Sequence, residues 1–232
     1  MRLPVRFPLP VPPPARRGRS RTSRVRALLA TGVAAGPLFV SAFAVQGALR
    51  AHYDGRRHPV SSLALGPYGR VQTANFLTTG ALTLALAEGL RRTPGHGSTW
   101  GPRLVAGWGV GLLGAGAFVT DPVGDYPPGA PQDPDITVPG GLHDAFSLLA
   151  FGSLIAAEAS YARACRASGE HGWAAGSAAA ATVTAATFLY SGWAFGRPDA
   201  PGRRAGLAQR TSITTGCAWL TLLALRTLKT TR

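Results

Sequence analysis

The chain has 232 residues, 46% of them hydrophobic, and a formal net charge of +14 at pH 7. The apolar residues gather in blocks of about 18 to 23, the length that a helix needs to cross a bilayer, which argues against a single soluble domain. The basic residues flank these blocks and do not alternate with aromatic residues along a stripe. This distribution indicates membrane flanks and argues against nucleic-acid binding.

The first segment, residues 1–24, is rich in arginine and proline and contains no acidic residue. Such a segment cannot bury enough apolar surface to fold. We predict a disordered cytoplasmic arm close to lipid headgroups, with an inert tail as the alternative. A single membrane domain is predicted over residues 25–232.

Six apolar segments follow, and they predict an all-α fold, an integral membrane bundle of about six transmembrane helices. The first of these apolar segments is about 23 residues long, which exceeds the apolar core of about 7 to 15 residues in a cleaved signal peptide. It carries Gly32 and Gly36, whose spacing favours close helix contact. The fifth is rich in Ala and Thr, and we expect it inside the bundle. The predicted spans are residues 27–49, 71–90, 104–119, 142–162, 173–194 and 207–228.

The basic residues also predict the orientation. With the N-terminus in the cytoplasm, 16 Lys and Arg residues lie inside and 8 lie outside. Cytoplasmic loops carry such an excess, so we predict a multipass protein of the cell membrane with both termini in the cytoplasm. The arginines left outside run against the rule, and we expect them to have a specific role.

Polar residues that could act on a ligand concentrate at the predicted outer ends of the spans. His143 with Ser147, and Gln72 with Asn75, have spacings that place each pair on one helix face. The candidates for catalysis are His58, Ser61, Asp121, His143 and Asp144; those for a ligand pocket are Gln46, Ser62, Gln72, Asn75, Ser147, Gln209 and Arg210; and those for a metal site are His58, Asp121 and His143.

Four short motifs lie among these candidates. They are His-Pro-Val-Ser-Ser-Leu-Ala-Leu-Gly at residues 58–66, Gln-Thr-Ala-Asn-Phe at 72–76, Thr-Asp-Pro at 120–122 and Leu-His-Asp at 142–144. Together they resemble an uncharacterised family of multipass bacterial membrane proteins, domain of unknown function 998. The resemblance covers roughly residues 28–228. It implies a multispan bundle in the cell membrane and no established activity.

The candidates allow two kinds of chemistry. His58, Asp121 and His143 are of the types that bind zinc, although they would have to converge from three segments. Alternatively, Asp121 could orient His58 or His143 as a general base that acts on water or on Ser61. Either arrangement would suit hydrolysis of a lipid headgroup at the outer leaflet.

The same residues also suit a structural role. Asp121 precedes a proline, which marks the end of the third span, and the serines can cap a short helix. Asp144 is expected in the first turn of the fourth span, where a carboxylate favours the helix dipole. The primary prediction is therefore a membrane protein with a structural or binding role, and the alternative is a lipid hydrolase. The expected partners are the bilayer and a lipid or small-molecule ligand; no substrate, cofactor or oligomeric state follows from the residues.

A transporter or sensor is the third prediction. Ion-coupled carriers usually place an ionisable residue deep in a span, and here no charge is expected near the centre of one. Glu88 and Glu158 lie near the predicted cytoplasmic ends. We expect them to pair with Arg91, Arg92 and Arg163.

Overall fold

The computed structural model describes residues 16–93, 98–131, 135–197 and 204–231, with side chains from residue 21 onward. Over these residues the chain forms six α helices and one short 3-10 helix, so the predicted all-α fold of six helices is confirmed. The helices are α1 (Arg16–Leu49), α2 (Gly69–Arg91), α3 (Gly101–Ala117), α4 (Val138–Ala167), α5 (His171–Phe195) and α6 (Ala205–Thr230), and the 3-10 helix is Val60–Ala64.

All six helices begin before the predicted spans, and two of them, α1 and α4, begin at least four residues earlier. α1 begins at Arg16, inside the segment predicted as a disordered arm, because no proline follows Pro14 there and arginine is a good helix former. Residues 1–15 of that arm lie outside the described residues. α4 begins after its cap residue Thr137, which places Asp144 in the second turn and not, as predicted, in the first.

The six helices form a closed ring. Each helix packs against its neighbours in sequence, and α6 packs against α1. Near the chain ends, Arg26 of α1 donates hydrogen bonds to the carbonyl oxygens of Leu228 and Thr231, at 3.0 and 2.6 Å. We call this the terminal end of the ring. The opposite end, which we call the cap end, carries the connections 50–68 and 118–137.

Glycines let the helices of the ring approach closely. A Cβ atom at Gly36 would lie 2.7 Å from a backbone carbonyl oxygen of α6, and one at Gly111 would lie 2.5 Å from the Ala150 Cβ of α4. Gly32 faces Leu86 of α2 in the same manner. The close contact predicted for Gly32 and Gly36 is therefore present, and it involves a different helix at each glycine.

Polar side chains lie inside the ring while large apolar side chains project from it. Gln72 and Glu158 are completely buried, and Thr83 is 1% exposed. By contrast, Leu148 is 63% exposed and Leu189 is 68% exposed. Water-soluble proteins rarely expose a broad apolar surface while they bury polar groups.

Two segments among the described helices are long and apolar enough to cross a membrane. They are Arg21–Leu49, in which an 18-residue window has a mean hydropathy of 1.9, and Val138–Ala167, in which such a window has a mean hydropathy of 1.4. The expectation that the fifth span is enclosed by the bundle is wrong. α5 packs against α4 and α6 on one face and leaves Leu189 and Trp193 exposed on another. Its small residues allow close packing on the buried face.

The two glutamates of the predicted spans have different surroundings. Glu88 forms ion pairs with Arg91 and with the arginine that follows it, as predicted, both at 2.6 Å. Glu158 is fully buried and accepts a hydrogen bond from the Thr184 hydroxyl at 3.1 Å. The prediction that Glu158 pairs with Arg163 is wrong, because this position of α4 faces α5 and not the surface.

Candidate functional site

His58 lies at the centre of a hydrogen-bonded cluster at the cap end. The Asp54 backbone N–H donates to its Nδ1 at 2.9 Å, so the proton of the imidazole is on Nε2, which donates to Asp125 Oδ1 at 2.7 Å. The ring centroids of Tyr53 and Tyr126 lie 5.5 and 5.4 Å from that of His58, which is 4% exposed. Because both ring nitrogens are engaged, the imidazole links the two loops of the cap end.

The surroundings of Asp125 and Tyr53 in this cluster change the pKa values of both side chains. The hydrogen bond from His58 holds the pKa of the Asp125 carboxyl below its ordinary value of 3.8, and the nearby Arg57 guanidinium acts in the same direction. Burial raises the pKa of the Tyr53 hydroxyl. That hydroxyl donates to the Pro59 carbonyl oxygen at 2.9 Å. The cluster therefore contains a carboxylate acceptor and a neutral phenol donor.

Two arginines predicted to lie outside stabilise the loop 50–68: Arg210 bonds it to α6, and Arg50, the first residue of the loop, bonds across it. Arg210 Nη1 donates to two carbonyl oxygens of this loop, at 2.6 and 2.9 Å, and Nη2 bonds the Tyr53 hydroxyl. Arg50 donates to a third loop carbonyl at 2.8 Å. Gln209 Oε1 accepts from the Val60 N–H at 2.8 Å, at the start of the 3-10 helix. These arginines thus have the specific role expected of them, because each satisfies loop carbonyls that would otherwise lack partners.

Asp121 stabilises the start of α4. Its Oδ2 accepts from the Thr137 backbone N–H at 2.9 Å, and its Oδ1 accepts from the Thr137 hydroxyl at 2.7 Å. Thr137 Oγ1 in turn accepts from the Gly140 N–H at 3.1 Å, which caps the helix. Within the described part of the chain, Asp121 makes no hydrogen bond to a histidine. It orients a helix cap.

His143, Ser61 and Ser147 line a small cavity inside the ring. His143 Nδ1 lies 2.9 Å from the Ala115 carbonyl oxygen and 3.0 Å from that of Phe118. Because carbonyl oxygens only accept, Nδ1 carries the proton and Nε2 is left as an acceptor. The cavity has a volume of about 30 Å³, which is room for about two water molecules and not for a lipid headgroup.

Three amide side chains form a second buried polar cluster, between α1 and α2. Gln46 Nε2 donates to Gln72 Oε1 at 2.9 Å, and Asn75 Nδ2 donates to the same oxygen at 3.4 Å. Gln72 Nε2 and Ser62 Oγ are buried and have no partner among the described residues. Polar side chains of this kind hold neighbouring helices together inside membranes.

Comparison with known proteins shows which family the sequence belongs to. The sequence matches the model of the family described as protein of unknown function (DUF998) over residues 33–226. The chain belongs to the DUF998 family. The resemblance seen in the four short motifs is thereby confirmed. No curated protein and no solved structure gives a significant match.

In this DUF998 protein the predicted site residues fall into separate groups. The cluster at the cap end contains His58, Gln209 and Arg210, and the start of α4 is held by Asp121. The small cavity is lined by Ser61, His143 and Ser147. The amide cluster contains Gln46, Gln72 and Asn75, and the 3-10 helix contains the buried Ser62. Asp144 is exposed on α4, directly after the buried His143. Among the described residues, no three His, Cys, Asp or Glu side chains are grouped so that they could hold a metal ion.

Sequence reasoning missed the residues that complete the cap of this DUF998 protein. They are Tyr53, Asp125 and Tyr126, which surround His58. A signal was present, because each loop contains a tyrosine directly beside an aspartate: Tyr53 precedes Asp54, and Tyr126 follows Asp125. Which of these acids faces the imidazole depends on how the two loops fold over each other, and spacing along the chain does not reveal this.

Proposed function

We propose that this protein is a multipass integral membrane protein of the bacterial cell membrane, in which all six helices cross the bilayer and both termini are cytoplasmic. The observation that carries the proposal is the apolar exterior around a polar interior. Leu148 and Leu189 project from the ring, whereas Gln72 and Glu158 are fully buried. In lipid this distribution is favourable, because polar groups find partners only inside the bundle.

We further propose that the cap end closes the extracytoplasmic face and has a structural or binding role. Its support is the set of hydrogen bonds that tie the loop 50–68 to α6 through Gln209 and Arg210, together with the bond by which Arg50 closes the loop on itself. These contacts use the candidate side chains for loop structure.

The alternative function is a membrane hydrolase that acts on lipid at the extracytoplasmic surface. The observation that favours it is the shared cavity of Ser61, Ser147 and His143, in which His143 Nε2 is an acceptor. A volume of about 30 Å³ favours the structural or binding role, because a reacting headgroup would have to enter through movement of the cap.

The proposed topology can be tested by thiol labelling in intact cells. Cys165 and Cys217 are each 2% exposed, so a membrane-impermeant maleimide should leave the wild-type protein unlabelled. We expect Asp135→Cys, in the connection 118–137, to be labelled in intact cells. Ala167→Cys, at the end of α4, should be labelled only after the membrane is permeabilised.

Two other labelling patterns would contradict the proposed topology. The reverse pattern would place the termini outside and overturn the orientation. Labelling of both variants in cells that remain intact would contradict a membrane crossing by α4, and with it the proposed six-span topology.

A further inference from the structure

A larger cavity opens at the terminal end of the ring, far from the cap. Its volume is about 660 Å³, which is within the range of small-molecule sites. The ends of α2, α3, α4 and α6 line it, together with residues 168 and 170 that connect α4 to α5. None of the candidate residues chosen from the sequence lines this cavity.

Its lining is strongly basic. Arg91, Arg103 and Arg226 contribute guanidinium groups from three different helices. Glu170 is the acidic residue in the described lining, and it forms an ion pair with Arg226. Arg91 is already paired with Glu88, so Arg103 carries the positive charge that no described carboxylate neutralises.

The aromatic residues around the cavity position two of these guanidinium groups. The Arg226 guanidinium lies 4.6 Å from the Trp173 ring centroid, and its Nη1 lies 3.4 Å from Cys165 Sγ. The Arg103 guanidinium lies 5.1 Å from the centroid of Trp100. Stacking holds the guanidinium plane of Arg103 while its N–H groups stay available, which is the geometry that binds phosphate oxygens in pairs. The Nη atoms of Arg226 already bond Cys165 and Glu170.

Hydroxyl groups complete the lining. Ser98, Thr99, Ser168 and Thr227 all border the cavity. The hydroxyls of Ser168 and Thr227 already donate to the backbone carbonyl oxygens of Cys165 and Leu223, at 3.1 and 2.8 Å. Ser98 Oγ already accepts from the Gly101 N–H at 2.9 Å, at the start of α3. The mixture of arginines and hydroxyls is typical of sites for phosphate groups and unlike an apolar groove for an acyl chain.

We propose that this cavity binds a phosphate-bearing anion, with Arg103 as its main ligand. The phosphate group is either that of an anionic lipid or that of a free solute. The proposal goes beyond the function proposed above and depends only on the geometry of the cavity, not on which side of the membrane it faces.

The test uses the full-length protein in nanodiscs. In nanodiscs of phosphatidylcholine, inorganic phosphate and pyrophosphate are titrated, and the melting temperature and the heat of binding are measured. A second set of nanodiscs contains phosphatidylglycerol. A ligand that binds only the folded protein raises its melting temperature, so we expect at least one of the two arms to stabilise the wild type.

The matched variants are Arg103→Gln and Arg166→Gln. Both remove one positive charge from the terminal end, but Arg166 is exposed near the end of α4 and does not line the cavity. We expect Arg103→Gln to weaken binding by about tenfold, since it removes a guanidinium fork, and Arg166→Gln to leave it unchanged. Arg103→Lys keeps the charge without the fork and should lie between the two.

The results distinguish a free phosphate solute from an anionic lipid headgroup, or show that the cavity binds neither. Stabilisation by soluble phosphate in phosphatidylcholine nanodiscs identifies a free anion as the ligand, and stabilisation confined to phosphatidylglycerol identifies a lipid headgroup. If neither arm stabilises the wild type, or if Arg103→Gln and Arg166→Gln behave alike, the proposal is wrong. Arg103 is exposed and separate from the Arg226–Glu170 ion pair, so its variant is expected to fold.

Discussion

At the scale of single residues, the two buried histidines are held in opposite tautomers by their neighbours. The Asp54 N–H places the proton of His58 on Nε2, whereas the Ala115 carbonyl oxygen places that of His143 on Nδ1. His58 uses both nitrogens to join loops. His143 keeps one nitrogen as an acceptor toward the interior, so it is the histidine on which the structural and catalytic roles can be separated.

We expect His143→Ala to lower the free energy of unfolding by about 1 to 3 kcal/mol, because two buried carbonyl oxygens lose their donor. Unfolding of the purified protein in detergent measures this effect. His171→Ala is the control, since His171 is exposed at the start of α5. A variant that keeps wild-type stability but loses a lipid turnover seen in the wild type would instead support the hydrolase.

The carboxyl of Asp125 should make stability depend on pH. Its pKa is lower in the folded state than its ordinary value of 3.8, because His58 donates to it. The ionised form therefore stabilises the fold above the unfolded pKa, and this contribution is lost as the pH falls through the folded pKa. We expect Asp125→Asn to lower the melting temperature by about 1 to 3 °C near neutral pH, a modest shift because the side chain is 57% exposed.

Melting curves of the wild type and of Asp125→Asn, recorded from neutral to strongly acidic pH, check this expectation. The difference between the two proteins should shrink as the pH falls below about 4. Asp135→Asn, an exposed acid in the same connection, serves as the control. A difference that stays constant over the whole range would mean that the ionised carboxyl does not stabilise the cap.

The types of the cap residues could be predicted, but their partners could not. Choosing Asp121 as the partner of a histidine was reasonable on composition, yet His58 bonds to Asp125 in the same connection, and Asp121 bonds to Thr137. Both acids are close in sequence and equally suited by chemistry. The choice is made by loop conformation, which depends on contacts between residues far apart in the chain, such as Arg210 with the loop 50–68.

At the scale of helices, the contact between α3 and α4 depends on glycine. We expect Gly111→Ala to cost about 1 to 3 kcal/mol, because the added Cβ would lie 2.5 Å from the Ala150 Cβ and 2.7 Å from its backbone. Gly152→Ala is the matched control, since nothing lies within 4 Å of its added Cβ, and alanine there gains helix propensity. Unfolding of both variants in detergent measures the difference, and equal stabilities would contradict the close packing.

Helix positions were predicted well and helix starts less well, for a physical reason. Each of the six predicted apolar segments coincides with the central part of a helix, so all six helices were found. The first turns of α1 and α4 are held by other means, by arginine propensity at Arg16 and by capping at Thr137. The order of helices around the ring leaves no trace in hydropathy, because it is set by complementary packing.

At the scale of the whole molecule, a charge placed on the apolar exterior should have different effects in a membrane protein and in a soluble protein. We expect Leu148→Arg to reduce the yield of membrane-inserted protein, because an arginine at the centre of a span costs about 3 kcal/mol in insertion. Ile136→Arg is the control: Ile136 is 82% exposed but precedes α4. Equal yields for both variants, with the protein in the soluble fraction, would argue against membrane insertion.

The closure of the ring by α1 and α6 has a consequence for synthesis in the cell. α1 is synthesised before its second neighbour α6, so the face of α1 around Gly36 has no protein partner until α6 has been made. A chain that stops before α6 would leave one flank of α1 and one flank of α5 without a neighbouring helix, so the ring could not close.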